Sequence, residues 1–229
     1  SHLEHQVYCK GAPEAILQLC KTEPSAQQKW LSLLDELAEK GLRLLGFARA
    51  VHRQKQVPEQ LAGFHFELMG FIGFEDPIRR GVATVVKKLR RAGVRLVMIT
   101  GDYPVTAKSI ARKAGFTEPL TLVNCQTLPL QTTSLANVAI QDTSIFSRIL
   151  PAQKLELVRL LQQKEEVVAM IGDGINDAPA LQVADVGIAM GEKGADVARE
   201  AASLVLLKDQ FTEIYHAIEM GRQLIGKIQ

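Results

Sequence analysis

Two carboxylates and an amide sit among glycines in the stretch Met170-Ile171-Gly172-Asp173-Gly174-Ile175-Asn176-Asp177-Ala178-Pro179-Ala180-Leu181. The apolar run at 167–171 is predicted to be a short buried strand. Gly172 and Gly174 then let the backbone turn tightly and come close to a ligand. Asp173 and Asp177 would stand at the carboxyl end of that strand, where open α/β sheets bind ligands. Carboxylates in that position suit Mg²⁺, a hard cation that takes oxygen ligands and commonly shares them with phosphate. The first six residues alone fit a solvated turn equally well, because Gly-Asp-Gly and Asn-Asp are common turn formers. The full string is far more specific.

Other polar clusters follow apolar strands in the same way. Val97-Met98-Ile99 runs into Thr100-Gly101-Asp102, where a hydroxyl and backbone amides can hold a phosphoryl oxygen. A helix N-cap by Thr100 or Asp102 explains those three residues as well. Phe71-Ile72-Gly73-Phe74 runs into Glu75-Asp76-Pro77-Ile78-Arg79, which alone reads as a turn with a surface ion pair. Arg148 and Lys154 flank Pro151 at the start of a predicted helix. If Thr100, Lys154, Asp173 and Asn176 converge at one edge of a parallel sheet, they offer a hydroxyl, an ammonium, a carboxylate and an amide there. That set suits phosphoryl transfer, in which spread positive charge and donors stabilise the developing charge.

The elements that must position these groups fall into two halves. Before about residue 75 the pattern is mixed. A strand is predicted near 6–9, a short helix to about Leu19, and a longer helix over 25–40 with Trp30, Leu33, Leu34 and Leu37 at helical spacing. Strands follow at 42–50 and 64–74, with a loop or short turn at 57–63. From Glu75 onward strands alternate with helices. Helices are predicted at 81–92, from Pro104 to near Gly115, at 151–164, at 195–202 and from Thr212 onward. Strands are predicted at 94–99, 167–171, 186–190 and 204–207. This alternation indicates a mostly parallel, doubly wound α/β sheet.

The chain has 229 residues, enough for one sizeable core or for one domain plus part of another. A formal net charge of +2 favours no class of partner. The basic run Lys87-Lys88-Leu89-Arg90-Arg91 lies on one face of an amphipathic helix and reads as a solvated face rather than as a nucleic-acid site. Cys9, Cys20 and Cys125 form no Cys-x-x-Cys pair and are odd in number, which fits reduced thiols better than a disulfide framework. No apolar run approaches the roughly 18 to 20 residues that span a bilayer, so the polypeptide as it stands is expected to be soluble.

Six strings in this chain carry a specific resemblance. Lys10-Gly-Ala-Pro-Glu14, Asp76-Pro-Ile-Arg79, Thr100-Gly-Asp102, Arg148-Ile-Leu-Pro-Ala-Gln-Lys154, Gly172-Asp-Gly-Ile-Asn-Asp-Ala-Pro-Ala-Leu181 and Ala184-Asp-Val-Gly-Ile-Ala-Met-Gly191 occur in the order found in P-type cation-transporting ATPases. The chain resembles the cytosolic part of such a pump over nearly its whole length. The resemblance implies a haloacid-dehalogenase-like Rossmann sheet, carried by residues 75–229. It implies that residues 1–74 are the later part of an α+β nucleotide-binding domain. Asp173 would then hold Mg²⁺, with Asp177 beside it. Thr100, Lys154 and Asn176 would contact the transferred phosphoryl group, and Gly101 and Asp102 would shape that pocket. Lys10 would line the adenine pocket, Arg43 would reach the nucleotide phosphates, and Arg148 would lie near the ribose. Asp76 and Arg79 would lie at the hinge. ATP and Mg²⁺ are the implied cofactors. The parent would sit in a membrane, with this segment on the cytoplasmic side. The lysine string with Asp-Pro-x-Arg looks most like the type II pumps, which carry Ca²⁺, Na⁺/K⁺ or related ions.

The family's phosphorylated aspartate lies in an Asp-Lys-Thr-Gly-Thr string, and no such string occurs here. The expectation is therefore a fragment of a larger pump, inactive alone and without its central strand. Unpaired strand edges are costly and adhesive, so the chain is expected to oligomerise, rearrange or depend on a separate piece. Two alternatives remain. One is a free-standing phosphatase of the same superfamily, for which Asp102, with Thr106 after it, is the candidate nucleophile. The other is a non-catalytic nucleotide-binding module that depends on Lys10.

Overall fold

The computed structural model describes residues 5–53, 58–128, 135 and 139–228. Val57, where the predicted loop begins, and Gln229 lie outside the described residues. The chain divides into two compact units, Ser1–Pro77 and Ile78–Gln229.

The first unit is a three-stranded antiparallel sheet with two helices. Strand β1 (His5–Gly11) leads into helix α1 (Pro13–Leu19) and helix α2 (Pro24–Glu39). Strands β2 (Arg43–His52) and β3 (Glu67–Phe74) complete the sheet in the order β1-β2-β3. Both helices begin on proline, whose fixed φ suits the first turn. The core is small: Ile16, Ala48, Ala50, Phe64 and Phe66 are buried together. In α2 the inward residues are Leu34 and Ala38, and Trp30 stacks at a tilt on Phe71 with ring centroids 5.3 Å apart. Leu33, predicted on the same face, is 44 % exposed, because a short sheet covers only a narrow stripe of the helix.

The second unit alternates helices and parallel strands as the sequence predicts. In chain order it comprises α3 (Val82–Arg91), β4 (Met98–Ile99), α4 (Pro104–Lys113), β5 (Leu122–Asn124), β6 (Ile145–Ser147) and α5 (Pro151–Gln162). These are followed by β7 (Ala169–Gly172), α6 (Ala178–Val183), β8 (Val186–Met190), α7 (Asp196–Ala201), β9 (Leu204–Leu206) and α8 (Thr212–Ile228). The strands form two parallel three-stranded sheets, ordered β4-β6-β5 and β7-β8-β9. Two apolar clusters, one around Phe146, Leu157 and Leu161 and one around Val158, Met170 and Leu181, both receive Ile99 and Val168. The two sheets therefore share one core. Among the described residues, β4 has a strand partner only in β6 and β7 only in β8.

In the second unit two strand predictions need correction, and two strands were missed. The run 94–99 is a strand only at Met98–Ile99. Further back, the Arg95 guanidinium donates to the carbonyls of Ile140 and Thr143 in place of a backbone ladder. The run 167–171 becomes Ala169–Gly172, and Val167 is 85 % exposed. Strands β5 and β6 were not predicted, because three residues carry no readable period. Yet Ile145, Phe146 and Ser147 are all fully buried, and β6 lies between β4 and β5. Among the described residues no helix is long and apolar enough to cross a membrane.

Candidate functional site

In the second unit the site grows out of the carboxyl end of β7. The chain leaves the strand at Gly172 and makes a 3-10 turn at Ile175–Asp177 before α6 begins. The Gly174 N–H donates to Asp177 Oδ2 at 3.1 Å, and the Asp177 N–H donates to the Gly174 carbonyl at 3.0 Å. This reciprocal pair folds the carboxylate back over the strand end. A side chain at Gly172 would prevent it, because a Cβ there would lie 2.6 Å from Asp177 Cβ.

Lys154 meets that carboxylate. It lies one turn into α5, and its ammonium donates to Asp177 Oδ1 at 2.6 Å. Both side chains are largely buried, 17 % and 11 % exposed. The start of α5 is fixed by Gln153, whose Oε1 accepts from the Leu150 N–H at 2.9 Å and whose Nε2 donates to the Cys125 carbonyl at 3.4 Å. A cation near a helix N-terminus is opposed by the helix dipole; the Asp177 carboxylate offsets that.

Thr100 follows β4 and is tied to the same region through the backbone. Its N–H donates to the Phe146 carbonyl at 2.9 Å, and its carbonyl accepts from the Ile149 N–H at 3.3 Å, just before α5. Its hydroxyl donates to Asp102 Oδ2 at 2.8 Å and accepts from the Asp102 N–H at 3.1 Å. Gly101 between them has open space where a Cβ would go. Asp173 and Asn176 are exposed on the β7 loop, and the Asp173 carbonyl accepts from the Ala195 N–H at 2.8 Å.

Other predicted residues occupy distinct places. Arg148 adopts a left-handed φ of 53° and lies over the Tyr103 ring at 5.8 Å. Arg79 donates to the Asp209 carbonyl at 2.9 Å. Asp209 itself was missed by sequence reasoning. It is buried, with φ of 52°, and its two carboxylate oxygens accept from the Glu192 and Lys193 N–H groups at 3.1 Å each. It thereby holds the loop after β8. The available signal was its position after a strand, since aspartate tolerates left-handed backbone and caps loops. Burial pushes the Cys125 thiol up to about 11, so it stays protonated beneath the α5 start.

In the first unit, strand register groups the predicted nucleotide contacts. Lys10 lies opposite Phe47 across β1 and β2, and residues directly opposite share a face. Along β2, alternation puts Phe47, Leu45 and Arg43 on that same face. Lys10 and Arg43 therefore project from one face of the sheet, with roughly 13 Å of strand between Phe47 and Arg43. Ile72 and Phe74, opposite Leu45 and Arg43 on β3, extend the face with half-exposed apolar surface. Helix α1 covers the other face, where a Cβ on Gly46 would touch Ile16 at 3.0 Å. Asp76 is exposed beyond β3.

The sequence is similar to known proteins along nearly its whole length. Residues 8–185 match a family described as haloacid dehalogenase-like hydrolase, and residues 153–218 match a second family of the same description. "Calcium-transporting ATPase 1" of Yarrowia lipolytica is 38 % identical over 96 % of this chain and 25 % of its own length. "Cation-transporting ATPase pma1" of Synechocystis is 37 % identical over 97 % of this chain and 26 % of its own length. "Sodium/potassium exporting P-type ATPase cta3" of Schizosaccharomyces pombe is 35 % identical over 98 % of this chain and 24 % of its own length. The chain thus spans about a quarter of the length of these relatives. Parallel sheets wrapped by helices, polar loops at their carboxyl ends and a family match over most of the sequence have one reading: the chain belongs to the haloacid dehalogenase-like hydrolases.

Proposed function

We propose that this chain is the nucleotide-binding and phosphoryl-receiving segment of an ATP-driven cation pump. The observation that carries the reading is the buried Lys154–Asp177 pair, held at the carboxyl end of β7 by a glycine loop. The pump would lie in a membrane and this segment on its cytoplasmic side. Residues 1–74 would form the later part of a nucleotide-binding domain and residues 75–229 the phosphorylation domain. The transported cation and its path belong to other segments of that pump, and a type II pump for Ca²⁺, Na⁺/K⁺ or a related ion fits the relatives' names best.

In this reading ATP binds on the sheet face that carries Lys10 and Arg43. The Lys10 ammonium orients the base end, and the Arg43 guanidinium draws the phosphates. Asp76 and Arg79 connect the two parts. At the β7 loop, Lys154 supplies positive charge to the phosphoryl oxygens while Asp177 fixes the direction of its ammonium. The Thr100 hydroxyl, anchored by Asp102 beside Gly101, and the Asn176 amide supply donors to the same oxygens. The acceptor carboxylate would come from another segment of the pump, since no Asp-Lys-Thr-Gly-Thr string occurs here.

Mg²⁺ fits this donor set in a limited way. Among the described residues no three His, Cys, Asp or Glu side chains come together as a metal cage. Mg²⁺ does not require one, because it is usually bound by one or two carboxylates plus phosphate and water. Asp173, exposed on the loop, would hold it, with Asp177 beside it. When bound, the ion would neutralise phosphate charge.

The test is nucleotide binding and turnover by the purified chain. Calorimetry should show ATP binding that Lys10→Ala weakens about tenfold, the loss of about 1.4 kcal/mol of charge-assisted contact. No phosphate should be released. Release of phosphate from a small aryl phosphate, abolished by Asp102→Asn, would instead establish a free-standing phosphatase.

A further inference from the structure

The proposed function leaves the cysteines unused, yet two of the three pack against one buried cluster. Gly11-Ala12-Pro13 turns β1 directly into α1, and α1 lies back over the sheet. Along β1 the half-buried residues are Val7, Cys9 and Gly11, whereas Gln6, Tyr8 and Lys10 are exposed. Cys9 therefore faces the α1 side. Helix α1 has 7 residues and so is about 10 Å long. A strand rises about 3.3 Å per residue, so a helix of that length running back along β1 would end, at Cys20, level with the stretch from Val7 to Cys9. Two further observations agree. Cys9 and Cys20 pack against the same buried cluster of Ile16, Ala48, Ala50, Phe64 and Phe66. Burial, and then the charge of a neighbouring Cys9 thiolate, both raise the pKa of the Cys20 thiol. Both thiols are partly exposed, whereas Cys125 is buried.

We propose that Cys9 and Cys20 form a reversible intrachain disulfide when the chain meets a peroxide, fastening the end of α1 to the strand that carries Lys10. Cys9 Sγ, as thiolate, attacks one peroxide oxygen; the O–O bond breaks, and hydroxide leaves as water with the thiol's proton. Cys20 Sγ then displaces the hydroxyl of the Cys9 sulfenic acid, forming the S–S bond and releasing a second water. Two thiols and one hydrogen peroxide give one disulfide and two waters; the sulfurs are oxidised and the peroxide is reduced. The raised pKa of Cys20 lowers its thiolate fraction, so the first attack on the peroxide is assigned to Cys9. A dithiol reverses the reaction by exchange. None of this depends on the nucleotide reading.

The experiment is a thiol count on the whole chain. The reduced protein, opened in denaturant, should titrate all 3 cysteines. After treatment with hydrogen peroxide the folded protein should titrate one, and peptide mass mapping should join Cys9 to Cys20. Dithiothreitol should restore the full count. Cys9→Ser and Cys20→Ser variants should form no intrachain bond. A bond to Cys125, dimers linked through Cys9 or Cys20, or a sulfinic acid at either position without the Cys9–Cys20 bond would overturn the proposal.

Discussion

Lys154 Nζ stands 2.6 Å from Asp177 Oδ1, so a lysine in the first turns of α5 and a carboxylate from the loop after β7 act as one unit. The pair closes the space between two elements that carry different parts of the proposed phosphoryl site. Its position near the α5 N-terminus makes each partner dependent on the other.

Removing one partner leaves a largely buried, uncompensated charge. Lys154→Met should lower stability by about 2–3 kcal/mol, read as a fall in the urea midpoint without a change in slope. The double variant Lys154→Met, Asp177→Leu should recover part of that loss, because an apolar pair of similar volume needs no charge compensation. Equal destabilisation in the single and double variants would refute the coupling.

Gly172 and Gly101 should respond differently to alanine. A Cβ at Gly172 would lie 2.6 Å from Asp177 Cβ and 2.9 Å from its Cγ. Gly172→Ala should therefore cost about 1–3 kcal/mol by pushing the carboxylate off Lys154. At Gly101 no atom lies within 4 Å of the added Cβ, and Gly101→Ala should stay within about 0.5 kcal/mol of the parent. Thermal melting of the two variants side by side tests both.

The buried Cys125 thiol sets an alkaline limit. Burial raises its pKa from 9.0 to about 11 in the folded chain. Between those values the unfolded chain binds fewer protons than the folded one, so unfolding stability falls as pH rises through this window. Below the unfolded value the contribution is absent from the slope. Cys125→Val should flatten the decline, measured as urea midpoints across that range for both proteins. An unchanged slope would show that other groups cause it.

Strand β4 pairs only with β6 and β7 only with β8 among the described residues. Each sheet therefore presents an open edge near the residues of the candidate site, and open edges recruit other strands. Light scattering should show mass rising with concentration above the 25.2 kDa of one chain. A constant mass of one chain would mean that the edges are shielded some other way.

Much of the local architecture was legible in the sequence, for a physical reason. Helix α3 turns Val85, Val86 and Leu89 inward, and α5 turns Val158 and Leu161 inward, because apolar residues at helical spacing can bury only one face. The loop Gly172–Asp177 was legible because two glycines and two aspartates after an apolar run suit few other structures. Strands β5 and β6 were not legible, since three residues carry no period; their burial comes from neighbours distant in sequence.

The sequence by itself therefore determined the alternation of strands and helices, the residues that end them and the chemistry those residues carry. Only the tertiary structure decided which of them meet. It gave Asp177 to Lys154, Arg79 to the Asp209 carbonyl, and Lys10 and Arg43 to one face of the first sheet. Helical and strand periods are local properties of the backbone. An ion pair between residues 154 and 177 exists only once a shared core has packed α5 against the end of β7.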